Sequence, residues 1–222
     1  EQAIVDRLDD ALPLLVDAIW DVAPQVDILI IDDNSPDGTG DWCDRKAASE
    51  PRLKCLHRAG KLGLGTATIA GMKWALEHGY DLAVRLDGDG QHDPSELGKL
   101  LAPVRRDEAD VVTGSRFVGG EGAYRPPFSR RVGITWFARL VSLLTRQRVT
   151  DTTPGFQALD RKGIALFAND SPSDYPEVEA TVLVLKHRLR LVEVPVTMRE
   201  REHGSSSITF LRSVYYAFKV TL

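Results

Sequence analysis

The chain predicts an α/β fold, a mostly parallel, Rossmann-like sheet flanked by helices, on three observations. Short apolar, β-branched runs alternate with stretches of helical periodicity through the first 115 residues, the pattern of strands joined by helical crossovers. Two of those runs stop at acidic clusters, Asp32-Asp33 and Asp87-Gly88-Asp89. Ligand sites in open parallel sheets lie beyond the carboxyl ends of the strands, so both clusters fall where chemistry is expected. The third observation is length: 222 residues with 43% hydrophobic side chains suit one domain with a sizeable core.

Each element has its own signal. Residues 3–20 space Ile4, Leu8, Leu12, Leu15 and Ile19 along one helical face. Residues 26–31, apolar and largely β-branched apart from Asp27, predict a buried strand, ended by the turn residues Asn34-Ser35-Pro36-Asp37-Gly38. Helix, strand and helix follow over 41–49, 53–57 and 66–78, then a strand over 82–86 that stops at Asp87. Pro94 suits the first turn of a helix, and Val111-Val112-Thr113 reads as the next strand. Beyond 115 a Gly/Pro loop precedes a helix over 129–146. Strands over 156–160 and 189–198 flank a helix near 176–187, and a last helix runs from about Ile208. The alternation opens on a helix where a strand is ordinarily first, and both ends fall inside helical patterns. A first strand, and segments before and after, are therefore expected to be absent from this chain. No linker forces a second domain.

Composition excludes several classes. A formal net charge of −4 argues against a general nucleic-acid binder. Cys43 and Cys55 are too few and too far apart to predict a zinc site or a redox pair, and the five histidines are scattered. A reducing, cytosolic compartment fits that usage. No signal peptide is visible, and no apolar run approaches the ~20 residues of a membrane span.

The chemistry concentrates at the strand ends. Asp87 and Asp89 place two hard carboxylates near one point, with Gly88 between them to let the backbone turn. Mg²⁺ or Mn²⁺ prefers such ligands together with phosphate oxygens and water. The competing reading is an acidic turn in which Asp93 caps the helix at Pro94. Asp32 and Asp33 offer carboxylates to base N–H or ribose hydroxyl groups, whereas Asp37 and Gly38 are turn chemistry. The stretch from Arg58 to Gly65 precedes a helix whose first N–H groups suit an anion, with Lys61 either in that role or as exposed surface.

Residues 26–39, Gly63-Leu64-Gly65, residues 87–94 (Asp-Gly-Asp-Gly-Gln-His-Asp-Pro), Gly114-Ser115-Arg116-Phe117 and residues 155–159 occur in an order and spacing that resembles glycosyltransferase family 2. The likeness is to its dolichol-phosphate mannose synthase and polyprenyl-phosphate hexosyltransferase branch, and it spans essentially the whole chain. It implies a GT-A fold and inverting transfer of a hexose, mannose or glucose, from GDP-mannose or UDP-glucose to a lipid phosphate. Residues 1–115 would then be the nucleotide-sugar half and 116–222 the acceptor half. The resemblance assigns the metal to Asp87, Asp89 and Gln91, and the nucleotide sugar to Asp32, Asp33, Lys61, Asp87 and Asp89. Glu1 is the sole remnant of the family's Pro-x-Tyr-Asn-Glu motif. Arg116, Arg130 and Arg201 match acceptor-phosphate positions, with Ser206 beside them, and Ser207 stands where the family often has lysine.

A guanidinium cluster suits phosphate because it donates bidentately and stays charged. A lipid phosphate has a second pKa of about 6, so its attacking oxygen is already largely anionic at neutral pH. Transfer to a sugar hydroxyl needs a carboxylate base instead, for which Glu177 and Glu179 are the candidates. Residues 208–219 place Ile208, Phe210, Leu211, Val214, Tyr215 and Phe218 beside Arg212 and Lys219. They are expected either to lie in the interface plane on the cytoplasmic membrane face, to continue into a membrane anchor absent from this chain, or to pack on the core. Transfer to a glycan hydroxyl, nucleotidyl transfer, and a noncatalytic nucleotide-binding domain remain the alternatives.

Overall fold

The computed structural model describes residues 2–88, 90–115, 117–118, 142, 149–151, 155–170 and 176–197, with 2–11 and 176–179 as backbone only. Helix α1 (Gln2–Val22) turns Leu15, Val16 and Ile19 inward and leaves Leu14 exposed. Trp20 Nε1 donates to Val26 O at 3.1 Å, which fixes the approach to the first strand. Strand β1 (Ile28–Asp32) pairs in parallel with β2 (Leu53–His57), and the register sets Asp32 beside His57. Helix α2 (Thr39–Ser49) makes the crossover. Its entry is turn chemistry, as expected for Asp37 and Gly38. Asp37 Oδ1 accepts from Thr39 N at 3.1 Å and Thr39 Oγ1 at 2.6 Å, and Gly38 has φ 86°.

Helix α3 (Leu64–Glu77) leads to β3 (Leu82–Arg85), a 3₁₀ turn over Pro94–Glu96, α4 (Leu97–Arg105) and β4 (Val111–Ser115). Then come β5 (Gln157–Asp160), α5 (Arg161–Asp170), α6 (Pro176–Lys186) and β6 (Leu191–Pro195). The second sheet has the order β3-β5-β4-β6. Strand β5 runs antiparallel to both neighbours, while β4 and β6 are parallel.

Side chains alternate across this sheet, as period-2 geometry demands. Val112 and Ala158 face a cluster built with Leu15, Ile19, Leu97, Leu100, Leu101 and Val104 from α1 and α4. Val111 and Leu159 face the other side, against Met72, Ala75, Ile164, Phe167 and Val184 from α3, α5 and α6. Ile28 of β1 joins the first cluster, so both sheets share one core. Phe156 and Phe167 are each about 1% exposed, and truncating either to alanine costs about 3–5 kcal/mol.

Helix α5 has no counterpart in the sequence reading, which expects one helix between the last two strands. It starts directly after β5 without a loop and carries a glycine in its first turn, two features that mask a helical pattern. Ile164, Phe167 and Ala168 nevertheless recur at i, i+3 and i+4 and are buried. Asp160 accepts from Gly163 N at 2.8 Å and caps the helix. A Cβ on Gly163 would stand 3.0 Å from Asp110 O and 3.1 Å from both Leu159 and Val111 side chains, so glycine sets how closely α5 approaches β4. The expected helices at 129–146 and from Ile208 lie outside the described residues.

Candidate active site

The mouth of β1 carries two aspartates with different neighbours. Asp32 is 5% exposed. Its Oδ1 accepts from Ser35 N at 3.1 Å and its Oδ2 lies 3.4 Å from His57 Nδ1. Burial raises its pKa, but hydrogen bonds from Ser35 and His57 outweigh that and hold it below the ordinary carboxylate value. Asp32 therefore braces the turn from behind. Asp33, the next residue, points the opposite way. Its Oδ1 pairs with Arg58 Nη1 at 3.1 Å and its Oδ2 accepts from Leu62 N at 3.2 Å.

Arg58 also donates to Thr66 Oγ1 at 2.5 Å, and Thr66 Oγ1 reaches Leu62 O and Gly63 O. The loop with exposed Lys61 is thus fastened to the end of β1. Gly63, at φ 95°, opens α3 without a side-chain cap, which leaves the helix's first N–H groups for an anion. One turn later Thr68 Oγ1 accepts from Arg85 Nη1 at 3.5 Å. The start of α3 therefore touches both the Asp33–Arg58 pair and β3, the strand that leads to Asp87.

At the mouth of β3, Asp87 Oδ2 lies 3.6 Å from Nε2 of His92, whose side chain is 2% exposed. The His92 ring sits 5.0 Å from that of Phe156, tilted by 38°. A Cβ at Gly155 would stand 2.6 Å from Asp87 Oδ2 and 3.0 Å from His92 Nε2. Only a glycine lets the start of β5 close this cradle. The turn between Asp87 and His92 passes through Gly90 at φ 71°, a conformation that disfavours L side chains. Half-buried Gln91 follows it, and Asp93 accepts from Ser95 N at 3.0 Å. The capping expectation thus holds for Asp93, while Asp87 and Gln91 stand as hard oxygen donors at the strand mouth, a set suited to Mg²⁺ or Mn²⁺.

The ends of β4 and β6 are stitched together on the other flank. Glu193 accepts from Thr150 N at 2.9 Å, Thr150 Oγ1 at 2.9 Å and Asp151 N at 2.9 Å. Ser115 Oγ lies 3.1 Å from Thr150 Oγ1 and accepts from Phe117 N at 3.1 Å. This network brackets Arg116 in the chain. Glu1, Asp89, Arg116, Arg130, Arg201 and Ser206 lie outside the described residues, and so do the side chains of Glu177 and Glu179. Sequence reasoning assigns no task to His92, Gly155, Thr150 or Glu193. His92 and Gly155 sit inside the motif strings, so their place in the chain was the available signal.

Cys43 and Cys55 are twelve positions apart, yet α2 folds back along β2 and brings the two thiols close together, with Asp44 and His57 beside Cys55. Burial, and then the neighbouring Cys55, push the Cys43 thiol up to about 12. Asp44, followed by Asp32, raises the pKa of His57 above its ordinary value. Separation along the chain is no guide to separation in space when a helix reverses it.

Residues 10–165 match Glycosyl transferase family 2. The chain is 42% identical over 204 residues to the undecaprenyl-phosphate mannosyltransferase of Micrococcus luteus, covering 90% of this chain and 83% of that protein. It is 39% identical over 203 residues to the polyprenol monophosphomannose synthase of Mycolicibacterium smegmatis, covering 89% and 76%. Among solved structures it shares its fold with glucosyl-3-phosphoglycerate synthase from Mycobacterium tuberculosis in complex with Mn²⁺, UDP-glucose and phosphoglyceric acid. That likeness has TM-score 0.63 and 18% identity over 88% of this chain and 68% of the other. The mannosyltransferase PcManGT from Pyrobaculum calidifontis, in complex with GDP-Man and Mn²⁺, aligns at TM-score 0.58 and 16% identity over 95% of this chain. This chain spans 56% of the PcManGT chain's length.

Proposed function

The chain belongs to glycosyltransferase family 2, and from that membership we propose that it transfers a hexose from a nucleotide-diphosphate sugar to a polyprenyl phosphate, inverting the anomeric carbon. The observation that carries the reading is the Asp87 carboxylate seated between His92 and Gly155 at a strand mouth. The first turns of α3 connect it to the Asp33–Arg58 pair. The two mannosyl-transferring relatives favour mannose over glucose, and hence GDP-mannose over UDP-glucose.

Asp87, Asp89 and Gln91 are the donors for Mg²⁺ or Mn²⁺, which when bound neutralises charge on the departing nucleoside diphosphate. Asp33, held by Arg58 and Leu62 N–H, presents its carboxylate to the base or ribose, and Glu1 and Asp32 are assigned to the donor as well. Lys61 and the uncapped start of α3 favour the diphosphate. Arg116, Arg130 and Arg201, with Ser206, hold the acceptor phosphate. One of its anionic oxygens forms the new C1–O bond as the C1–O bond to the diphosphate breaks. Because that oxygen arrives already deprotonated, positioning by the arginines replaces a carboxylate base. Glu177 and Glu179 are then bystanders.

A lipid acceptor requires contact with a membrane surface. Among the described residues no helix is long and apolar enough to cross a bilayer, and we place the chain peripherally on the cytoplasmic face, where the thiols of Cys43 and Cys55 stay reduced. The test offers GDP-mannose and UDP-glucose, with Mn²⁺, to the protein together with either undecaprenyl phosphate or an oligosaccharide. Hexose appearing in the lipid extract supports the proposal; hexose appearing only on the oligosaccharide overturns it.

A further inference from the structure

We propose that Asp44, Cys55 and His57 form a second metal site, for a borderline-soft divalent ion of the Zn²⁺ class, distinct from the carboxylate site at β3. One donor atom from each lies within 4.8 Å of the others. His57 Nε2 is 3.0 Å from Asp44 Oδ1, and Cys55 Sγ is 3.9 Å from Nδ1 of the same ring. Tetrahedral Zn²⁺, with bonds of about 2.0–2.3 Å, separates its ligand atoms by roughly 3.3–3.8 Å. The exposed Asp44 side chain has room to adjust towards that spacing.

The donors are of the three types that this ion takes: thiolate, imidazole and carboxylate. Mg²⁺ and Mn²⁺ discriminate against sulfur, so the two sites select different ions. The ligands also stand on rigid elements. Cys55 and His57 are i and i+2 on β2 and therefore share a face, and Asp44 projects from α2.

The surroundings supply what a metal-binding histidine needs. Asp32, nearly sealed from solvent, lies 3.4 Å from His57 Nδ1. A carboxylate in that place accepts from Nδ1–H and directs the Nε2 lone pair outward, towards Asp44. The first turn of α2 presses on the same ring. A Cβ at Gly40 would stand 2.9 Å from Asp32 Oδ2 and 3.2 Å from His57 Cε1. Three protein ligands leave a fourth position for water. A groove of about 540 Å³, lined by Asp44, Lys54, Cys55, Trp74, His78 and Tyr80, opens beside two of the three ligands. Because His57 leans on Asp32, and Asp32 on Ser35, an ion here stiffens the turn that presents Asp33 to the donor.

Co²⁺ added to the full chain is the probe, because cobalt bound to oxygen ligands alone gives no thiolate charge-transfer absorption. One equivalent in excess of the β3 site should produce that near-ultraviolet band with the visible signature of a tetrahedral ion, and Zn²⁺ should abolish both. Cys55→Ser should remove the band, His57→Gln should weaken Co²⁺ binding at least tenfold, and Cys43→Ser and Asp87→Asn should leave the band in place. The His57→Gln result decides the matter if Cys55→Ser does not fold. Absence of the band in the wild type, its persistence in Cys55→Ser, or undiminished affinity in His57→Gln overturns the proposal.

Discussion

Asp87 and His92 form a contact of 3.6 Å at the mouth of β3, and Gly155 presses against both, so the carboxylate is held by packing as well as by charge. Gly155→Ala drives a methyl group into Asp87 Oδ2. The expected result is a KM for Mn²⁺ raised tenfold or more, with the fold intact by circular dichroism.

In the proposed site His92 acts on the metal through Asp87, as a positioning residue. His92→Ala should weaken Mn²⁺ binding about 10–100-fold, the range for lost outer-shell partners, while KM for the lipid stays unchanged. Partial recovery in His92→Gln, which keeps a hydrogen-bonding group there, separates positioning from a general loss of structure. Equal damage in both variants contradicts the role.

Arg58 holds Asp33 and the loop that carries Lys61. Arg58→Ala should raise KM for the nucleotide sugar roughly tenfold, the worth of one charge-assisted bond, and leave KM for polyprenyl phosphate where it was. Arg116→Ala and Arg201→Ala should do the reverse, weakening lipid-phosphate use more than donor hydrolysis. Steady-state kinetics with each substrate varied in turn reads both, and equal losses on both substrates count against the division.

Asp110 ties the start of β4 to α5 and to the residue before β6. Its carboxylate accepts from Arg190 Nη2 at 2.8 Å, Arg190 N at 2.7 Å and Lys162 Nζ at 2.9 Å. Hydrogen bonding by Arg190 holds its pKa far below the ordinary value despite burial. A depressed folded-state pKa contributes stability that is fully present above the unfolded value of about 3.9 and is lost as pH falls through the folded one. Asp110→Asn should cost about 2–3 kcal/mol at pH 7, roughly 5–10 °C in Tm. The gap between variant and wild type should shrink below pH 4; a constant gap contradicts the assignment.

Much of the architecture was legible because single physical signals set it. β1, β2 and β4 are apolar runs cut short by polar turns, and their bounds fall within a residue or two of the expected ones. The direction of β5 was not legible, because it depends on the path between 115 and 157 and not on the strand's own side chains. Asp32 and Asp33 read alike as letters, but alternation along an extended chain turns one inward to Ser35 and His57 and the other outward to Arg58. The Asp44–Cys55–His57 cluster was invisible for a related reason, since only the return of α2 along β2 brings position 44 to position 57. Motif order marked the strand ends as the site, whereas the contacts that hold Asp87 come from Gly155, more than sixty residues away.

The most direct test follows oxygen. Polyprenyl phosphate labelled with ¹⁸O on its phosphate is incubated with GDP-mannose, Mn²⁺ and the protein, and the lipid and nucleotide products are weighed by mass spectrometry. Attack by the lipid phosphate should give a hexosyl phosphoryl lipid that retains every labelled oxygen, alongside unlabelled GDP. Release of GDP with free mannose and no labelled hexosyl lipid would contradict the assignment of the lipid phosphate as acceptor.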